Sequence, residues 1–231
     1  MQQEERSERS RNQILDAALK LFSHRGYGAT SVNDIAAEAG VSKGNVYHHF
    51  PDKETIFRAL LDQYFQAMSQ PDFPFNRALA SGTFPDNLEE LGRAAREAVV
   101  EWRQHVALIY VDVVEFDGTH IRKFYADMAK RFETFLASHH IAPDLADGLS
   151  PTSAVMLATR IFFNYFSVEI IFGVKDHFGK QTDQVIAEIS RILRHGMLKR
   201  SRVIPSVARD LGGREGRKAR APRRPRHQAP R

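Results

Sequence analysis

The chain has 231 residues, of which 42% are hydrophobic and 26% charged, and it contains no cysteine. These fractions are typical of a globular protein with one sizeable core. The absence of cysteine from the sequence excludes a disulfide scaffold, a thiolate zinc site and a cysteine nucleophile. No stretch approaches the roughly 18 apolar residues that span a bilayer, and the charged N-terminus lacks the apolar segment of a secretory signal. We therefore expect a cytoplasmic protein with no membrane partner.

The net charge of +5 originates at the C-terminal end of the chain. Residues 205–231 contain nine basic and two acidic residues, so the rest of the chain is slightly acidic. Because residues 204–231 also carry few apolar side chains, we predict a disordered basic tail, with an arm that clamps DNA as the alternative. The overall charge therefore gives no argument for a nucleic-acid partner, and any such argument has to be local.

The N-terminal part begins with an amphipathic helix over residues 11–23. Its apolar residues recur at the spacing of one helix face: Ile14, Ala17, Ala18, Leu21 and Phe22. The preceding residues, 1–10, interleave glutamate with arginine and are predicted to form a solvated, mobile arm.

Two short capped helices follow the first one. Ser31 and Asp34 form a capping-box pattern, and Gly40 ends that helix. Ser42 caps a third helix, which Pro51 prevents from continuing. Glycine in the connecting turn lets two helices cross steeply, which is the helix-turn-helix arrangement. The alternative is a helical hairpin that merely exposes polar residues.

The third helix has an inner and an outer face. Val46 and Phe50 are four residues apart and are predicted to anchor it from behind. The outer face then carries Lys43, Gly44, Tyr47 and His48, with Asn45 at its margin. Lysine, tyrosine and histidine contact phosphates, asparagine pairs with adenine edges, and glycine permits close approach. This face therefore predicts a contact with double-stranded DNA.

The remainder of the chain is predicted to be helical, with a long loop over residues 69–85. The predicted helices cover residues 53–68, 87–105, 106–116, 119–139, 152–174 and 182–198. Residues 106–116 contain a β-branched run that by itself favours a strand, but no second strand is available to pair with it. The predicted fold is all-α, with a three-helix head at 11–55 and a larger helical domain at 56–203.

The segments ILDAALKLF and GYGATSVNDIAAEAGVSKGNVYHHFPDKETIF closely resemble the TetR-type bacterial transcriptional regulators over residues 11–61. The resemblance implies phosphate contacts from Tyr47, His49 and Lys53, and base contacts from the outer face of the third helix and from Asn33. It also implies a larger domain that dimerises and binds a small molecule. The expected function is a repressor that a ligand releases from a palindromic operator. The candidate DNA-binding residues are Ser31, Asn33, Ser42, Lys43, Gly44, Asn45, Tyr47, His48, His49 and Lys53.

The last two long helices are candidates for a homodimer interface. Residues 182–198 carry an apolar stripe, and residues 152–174 are apolar nearly all round, so they need burial on more than one side. The alternative for residues 152–174 is a central helix in a monomer.

A largely apolar effector is predicted to bind within the larger domain. The candidate lining residues are Trp102, Tyr110, Phe124, Met128, Arg160, Phe163 and Asn164. For the aromatic residues, ordinary core packing is the alternative. Arg160 is predicted either to hold a ligand carboxylate or to pair with Glu169 or Glu115.

Catalytic and metal signals are weak in this sequence. It has no histidine pair at i, i+4 spacing and no nucleophile-elbow, phosphate-loop or dinucleotide-binding motif. We therefore predict no metal, no cofactor and no enzymatic activity. The alternatives are a helical enzyme with an unrecognised site and a helical ligand carrier with a non-functional head.

Overall fold

The computed structural model describes residues 2–137, 145–146, 148–175 and 178–198. Across these ranges the chain forms ten helices and one isolated β-bridge, which confirms the all-α prediction. The helices are α1 (Gln2–Arg25), α2 (Val32–Ala39), α3 (Lys43–His49), α4 (Lys53–Ala67), α5 (Pro74–Ala80), α6 (Leu88–Glu101), α7 (Arg103–Glu115), α8 (Thr119–Leu136), α9 (Pro151–Ile170) and α10 (Thr182–Met197). The predicted tail at 204–231 lies outside the described residues.

Helix α1 begins at Gln2 rather than at residue 11. Residues 2–10 contain no glycine or proline, and glutamate and arginine are good helix formers. Glu5 and Arg9 are also spaced to attract each other across one helical turn. These residues are therefore a helical extension of α1 in this structure, whereas the mobility of residues 1–10 stays a prediction.

The predicted loop over residues 69–85 contains a short helix, α5. Pro74 occupies the first turn of α5, where its missing N–H costs nothing. Phe75 and Leu79 of α5 are buried in the core, as is the preceding Phe73. Their burial explains why a proline-rich segment is helical here.

The boundary between α6 and α7 falls at Trp102, three residues earlier than predicted. The β-branched run that follows is helical, as we predicted. At the far end of the chain, α9 ends at Ile170 instead of residue 174, and Gly173 beyond it adopts a left-handed φ of 73°. Glycine takes this conformation without the steric penalty of other residues, so it accommodates a change of direction.

Two hydrophobic cores organise the helices. The head core is formed mainly by α1 to α4, and the body core mainly by α4 to α10. Leu108 of α7 and Ile121 of α8 are buried in the head core although they belong to body helices. The body therefore packs directly against the head through the α7–α8 region.

Candidate DNA-binding surface and body cavities

The α2–turn–α3 unit is held by the caps that the sequence predicts. The Ser31 hydroxyl accepts a hydrogen bond from the Asp34 N–H, and the Asp34 carboxylate accepts one from the Ser31 N–H. Hydrogen bonding to Ser31 also lowers the pKa of Asp34. Gly40 adopts φ 67° and ψ 28°, and the Ser42 hydroxyl accepts the Asn45 N–H at 3.1 Å. Both serines are therefore used as helix caps.

The inner and outer faces of α3 agree with the prediction. The side chains of Val46 and Phe50 are buried, with relative exposures of only 1% and 3%. Lys43, Gly44, Tyr47 and His48 are exposed on the opposite side. Tyr47 is 47% exposed, which is unusual for a large aromatic ring in a well-packed head. The exposed face of α3, hereafter the reading face, consists of these last four residues.

Asn45 and His49 lie at the edges of the reading face rather than on it. Asn45 is half-buried, and its side-chain oxygen accepts a hydrogen bond from the Ser10 hydroxyl at 2.5 Å. His49 is also half-buried, and its pKa is lowered mainly by burial and further by His48 and Arg11. A neutral imidazole at this position is a hydrogen-bonding group rather than a cation, so it is less suited than Lys43 to contact a phosphate.

Gly44 is free of steric constraint within the protein. A Cβ atom built at this position would meet nothing closer than the Ser42 hydroxyl at 3.9 Å, and Gly44 does not have a positive φ. The fold therefore does not require glycine here. Open backbone on an exposed helix face suits the close approach of another molecule.

Lys53 is engaged in the head itself. Its ammonium group donates to the carbonyl oxygens of Tyr27 and Thr30, both at 2.8 Å, and lies 4.0 Å from the centre of the Tyr27 ring. Partial burial lowers the pKa of Lys53. Two of its three N–H donors are thus used to hold the α1–α2 loop, which leaves one for a phosphate. Asn33, by contrast, is exposed on α2.

The end of α7 is bonded to the head. The Glu115 carboxylate accepts hydrogen bonds from the backbone N–H groups of Tyr27 at 2.8 Å and Gly28 at 2.5 Å. The same helix carries Val106, Ile109 and Tyr110 on the wall of a body cavity. A single helix therefore contacts both the head loop and the cavity.

Two adjoining cavities lie in the body, with volumes of about 620 and 370 Å³. Both values are in the range of pockets that hold small organic ligands. They share five wall residues: Met68, Phe124, Met128, Thr159 and Phe163. Six of the seven predicted ligand-site residues line the larger cavity: Tyr110, Phe124, Met128, Arg160, Phe163 and Asn164.

Trp102 does not line either cavity, so its predicted role in the wall is wrong. The indole packs against Tyr64 at 5.6 Å and His105 at 5.0 Å between ring centres. Tyr64 itself lines the larger cavity, which places Trp102 one layer behind the wall. Trp102 lies at the break between α6 and α7.

Neither predicted acidic partner pairs with Arg160. Glu169 pairs with Arg96 at 3.7 Å, and Glu115 is bonded to the head loop. Arg160 and Asn164 are exposed rather than buried in the middle of α9. The nearly continuous apolar character of α9 had suggested burial for both residues.

Several cavity residues were not singled out from the sequence. They are Tyr64, Val106, Ile109, Tyr125 and Ser167 of the larger cavity and Phe73, Phe75, Asn76 and Arg131 of the smaller one. Most come from α4, α5, α7 and α8, whose inward faces depend on how the helices cross. Burial patterns along one helix do not reveal that crossing, so no local signal identifies these residues.

Exposed apolar side chains mark both of the last two helices. Leu157 and Ile161 of α9 are 49% and 40% exposed, and Ile192 of α10 is 69% exposed. Adjacent exposed apolar residues, such as Leu157 and Ile161 one turn apart on α9, are typical of protein–protein contact surfaces.

No candidate metal cluster of three ligating side chains occurs among the described residues. Within the same part of the chain, every helix is too short or too polar to cross a membrane.

A capped α2, a glycine turn and a short α3 with an exposed polar face define a helix-turn-helix protein. A family model for the bacterial regulatory proteins of the tetR family matches residues 14–60. The transcriptional repressor KstR2 of Mycolicibacterium smegmatis is 30% identical to 58% of this chain, and the match covers 69% of KstR2. The chain belongs to the tetR family of bacterial regulatory proteins.

Two further comparisons show how far the similarity to known proteins extends. The uncharacterized transcriptional regulator YuxN of Bacillus subtilis is 34% identical over 44% of this chain, but the match covers only 30% of YuxN. The crystal structure of NalD, the secondary repressor of the MexAB-OprM multidrug efflux pump in Pseudomonas aeruginosa, superposes with a TM-score of 0.56 at 20% identity. That match covers 84% of this chain and 98% of NalD, and it supports the fold alone.

Proposed function

We propose that this chain is a cytoplasmic transcriptional regulator, a repressor that binds a palindromic DNA operator as a homodimer and is released by a small molecule. The observation that carries the proposal is the reading face of α3. It presents Lys43, Tyr47 and His48 to solvent while Val46 and Phe50 are buried behind them. Membership of a family of bacterial regulatory proteins supports the same function.

Local charge favours DNA at this face although the chain before residue 205 is slightly acidic. No acidic residue occurs between Glu38 and Asp52 in the sequence. Glu38 is paired with Lys20 at 2.5 Å, which reduces its repulsion of a phosphate backbone. Asp52 is occupied as the cap of α4, where it accepts the Thr55 N–H. The acidic residues that flank the reading face are thus both engaged by contacts within the protein.

The exposed apolar residues of α9 and α10 support dimerisation through a surface that includes both helices. A two-fold axis through this surface pairs two heads, and two heads about 34–36 Å apart read successive major grooves on one side of the duplex. A palindromic site follows from that symmetry. Burial of Leu157, Ile161 and Ile192 in a partner would remove their contact with water.

Helix α7 supports a route from effector to DNA. Its cavity residues Ile109 and Tyr110 and its head contact Glu115 lie within about two helical turns of each other. A ligand that displaces α7 would shift the α1–α2 loop and change the separation of the heads. To change the bound fraction from 99% to 1%, the ligand must favour the released state by about 5.5 kcal/mol.

The direct experiment measures binding to DNA that flanks the gene for this chain. Fluorescence anisotropy with that fragment and with a scrambled fragment of equal length should show tighter binding to the natural sequence. The logarithm of the affinity should fall linearly with the logarithm of the salt concentration, because phosphate contacts release counterions. Equal affinity for both fragments, or binding indifferent to salt, would overturn the proposal and favour a helical ligand-binding protein.

A further inference from the structure

The described walls of the body cavities carry positive charge and no negative charge. Among the described residues that line them, the charged side chains are Arg160 in the larger cavity and Arg131 in the smaller one. No aspartate or glutamate occurs among these described wall residues. Most remaining wall residues are aromatic or aliphatic, so the cavities combine a large apolar surface with an isolated cationic group at each.

Arg131 is already engaged by the protein. One guanidinium nitrogen donates to the Ser69 hydroxyl at 2.6 Å, and the group lies 5.3 Å from the centre of the Phe124 ring. Both contacts fix its orientation. Arg131 therefore has less donor capacity for a ligand than a free arginine.

Arg160 has no such engagement in the described part of the chain, where its guanidinium makes no ion pair. A guanidinium offers five N–H donors in a planar fork that matches a carboxylate. The nearest candidate acid on the same helix, Glu169, is held by Arg96. The cation at the larger cavity is therefore available to bind an anion.

Polar groups that suit an anion share the cavity wall with Arg160. Tyr110, Tyr125 and Asn164 line the same cavity and offer two hydroxyl donors and an amide donor. The pKa of Tyr125 is raised, mainly by burial and then by Tyr110, while the charge of Arg160 opposes the shift. The Tyr125 phenol consequently remains a protonated donor at neutral pH, within the field of the guanidinium.

We propose that the larger cavity binds an amphipathic organic anion, with its carboxylate against Arg160, Tyr125 and Asn164. Its apolar body lies along Met68, Phe124, Met128 and Phe163, the wall that the two cavities share. This inference names the chemical class of the effector, and it rests on the proposed function only in treating the body as the ligand-binding domain.

The test compares ligands that share a tail and differ in the head group. The full-length protein is first loaded with N-phenyl-1-naphthylamine, a neutral probe that fluoresces in apolar cavities. Dodecanoate, 1-dodecanol or dodecylamine is then added, and the loss of fluorescence measures displacement of the probe. Dodecanoate should displace it at about tenfold lower concentration than 1-dodecanol, because a charge-assisted hydrogen bond is stronger than a neutral one. Dodecylamine should be the weakest of the three, because its ammonium group meets a cation.

Substitution of Arg160 tests whether this residue causes the preference for dodecanoate. Arg160→Gln should weaken dodecanoate about tenfold and change 1-dodecanol less than twofold. Arg103→Gln is the matched control, because Arg103 is exposed at the start of α7 and lines neither cavity. It should leave all three ligands unchanged.

The possible outcomes separate this inference from the proposed function. If dodecanoate and 1-dodecanol displace the probe equally well from the wild-type protein, the inference is wrong. This comparison needs no variant, so it can be made even if Arg160→Gln does not fold. An anion preference that survives in a folded Arg160→Gln protein also overturns it. None of these measurements contains DNA. If the protein does not bind an operator, the regulator proposal is wrong, but an anion preference observed here still stands.

Discussion

The carboxylate of Asp112 is fully buried at the end of α7 and lies 2.5 Å from Nδ1 of His120 at the start of α8. Its second oxygen accepts a hydrogen bond from the Ile121 N–H at 3.1 Å. The other ring nitrogen of His120, Nε2, lies 3.3 Å from the carboxylate of Glu54 in the first turn of α4. This series of contacts joins the α7–α8 turn to the helix that leads from the head into the body.

Removal of the buried carboxylate should destabilise the protein strongly. Asp112→Ala leaves the Ile121 N–H and the His120 ring without their acceptor in a buried environment. We expect a loss of about 2–4 kcal/mol in the free energy of unfolding, measured by urea denaturation. Asp127→Ala, at an exposed position of α8, should change it by less than about 0.5 kcal/mol. A similar loss in both variants would show that the Asp112 contacts contribute nothing specific.

Gly92 should be intolerant of a side chain. A Cβ atom at this position of α6 would lie 2.8 Å from both Ile186 of α10 and the Phe162 ring of α9. Gly92→Ala should therefore destabilise the protein by about 1–3 kcal/mol despite the better helix propensity of alanine. Thermal unfolding measures the effect, and an unchanged or raised Tm would contradict the close packing of these three helices.

Gly44→Ala should separate stability from DNA binding. Because the position is open and helical, alanine should keep or raise the stability by up to about 1 kcal/mol. Operator affinity should nevertheless fall, since the added methyl group lies on the reading face. Parallel measurements of urea unfolding and fluorescence anisotropy test both effects. Unchanged affinity would show that the backbone at Gly44 does not approach DNA closely.

Because of His105, the free energy of unfolding should decrease in mild acid. The His105 ring packs against both Tyr64 and Trp102, its Nε2 is buried without a hydrogen-bond partner in the described structure, and burial lowers its pKa to about 4. The unfolded chain binds a proton near the ordinary pKa of about 6.5, and the folded protein does not until about pH 4. Stability should therefore fall as the pH drops from 6.5 to 4, by up to about 3 kcal/mol.

His105→Phe provides the comparison for this pH effect. Phenylalanine keeps an aromatic ring against Tyr64 and Trp102 but cannot take up a proton. The difference in the free energy of unfolding between pH 7 and pH 5 should be smaller in His105→Phe than in the wild-type protein. Equal pH dependence in the two proteins would assign the acid sensitivity to other groups, such as His49.

The helix-turn-helix was predictable because its determinants are local. Ser31 with Asp34, Gly40 and the pair Val46 and Phe50 are each defined by neighbours within a few residues, and the structure has them as predicted. The start of α1 was not predictable in the same way. Alternating glutamate and arginine are compatible with both a helix and a solvated arm, and the apolar periodicity that located the helix begins only at Ile14.

Several contacts of the predicted site residues join distant parts of the chain. Lys53 donates to carbonyl groups about 25 residues earlier in the chain, and Asn45 is bonded to Ser10. Trp102 packs against Tyr64 and His105 instead of lining a cavity, and no glycine or proline marks the helix break at this residue. Sequence patterns give the face of one helix, but they do not give the loop or neighbouring helix that the face meets.

The most direct measurement compares operator affinity among three variants of single exposed residues. Tyr47→Ala and Lys43→Ala alter the reading face, and Lys130→Ala removes the same charge as Lys43→Ala from an exposed position on α8. Tyr47→Ala should weaken operator binding about tenfold or more, and Lys43→Ala should reduce the salt dependence by about one phosphate contact, while Lys130→Ala leaves both unchanged. If the three variants bind the operator as tightly as the wild-type protein, the outer surface of α3 does not contact DNA and the account is wrong.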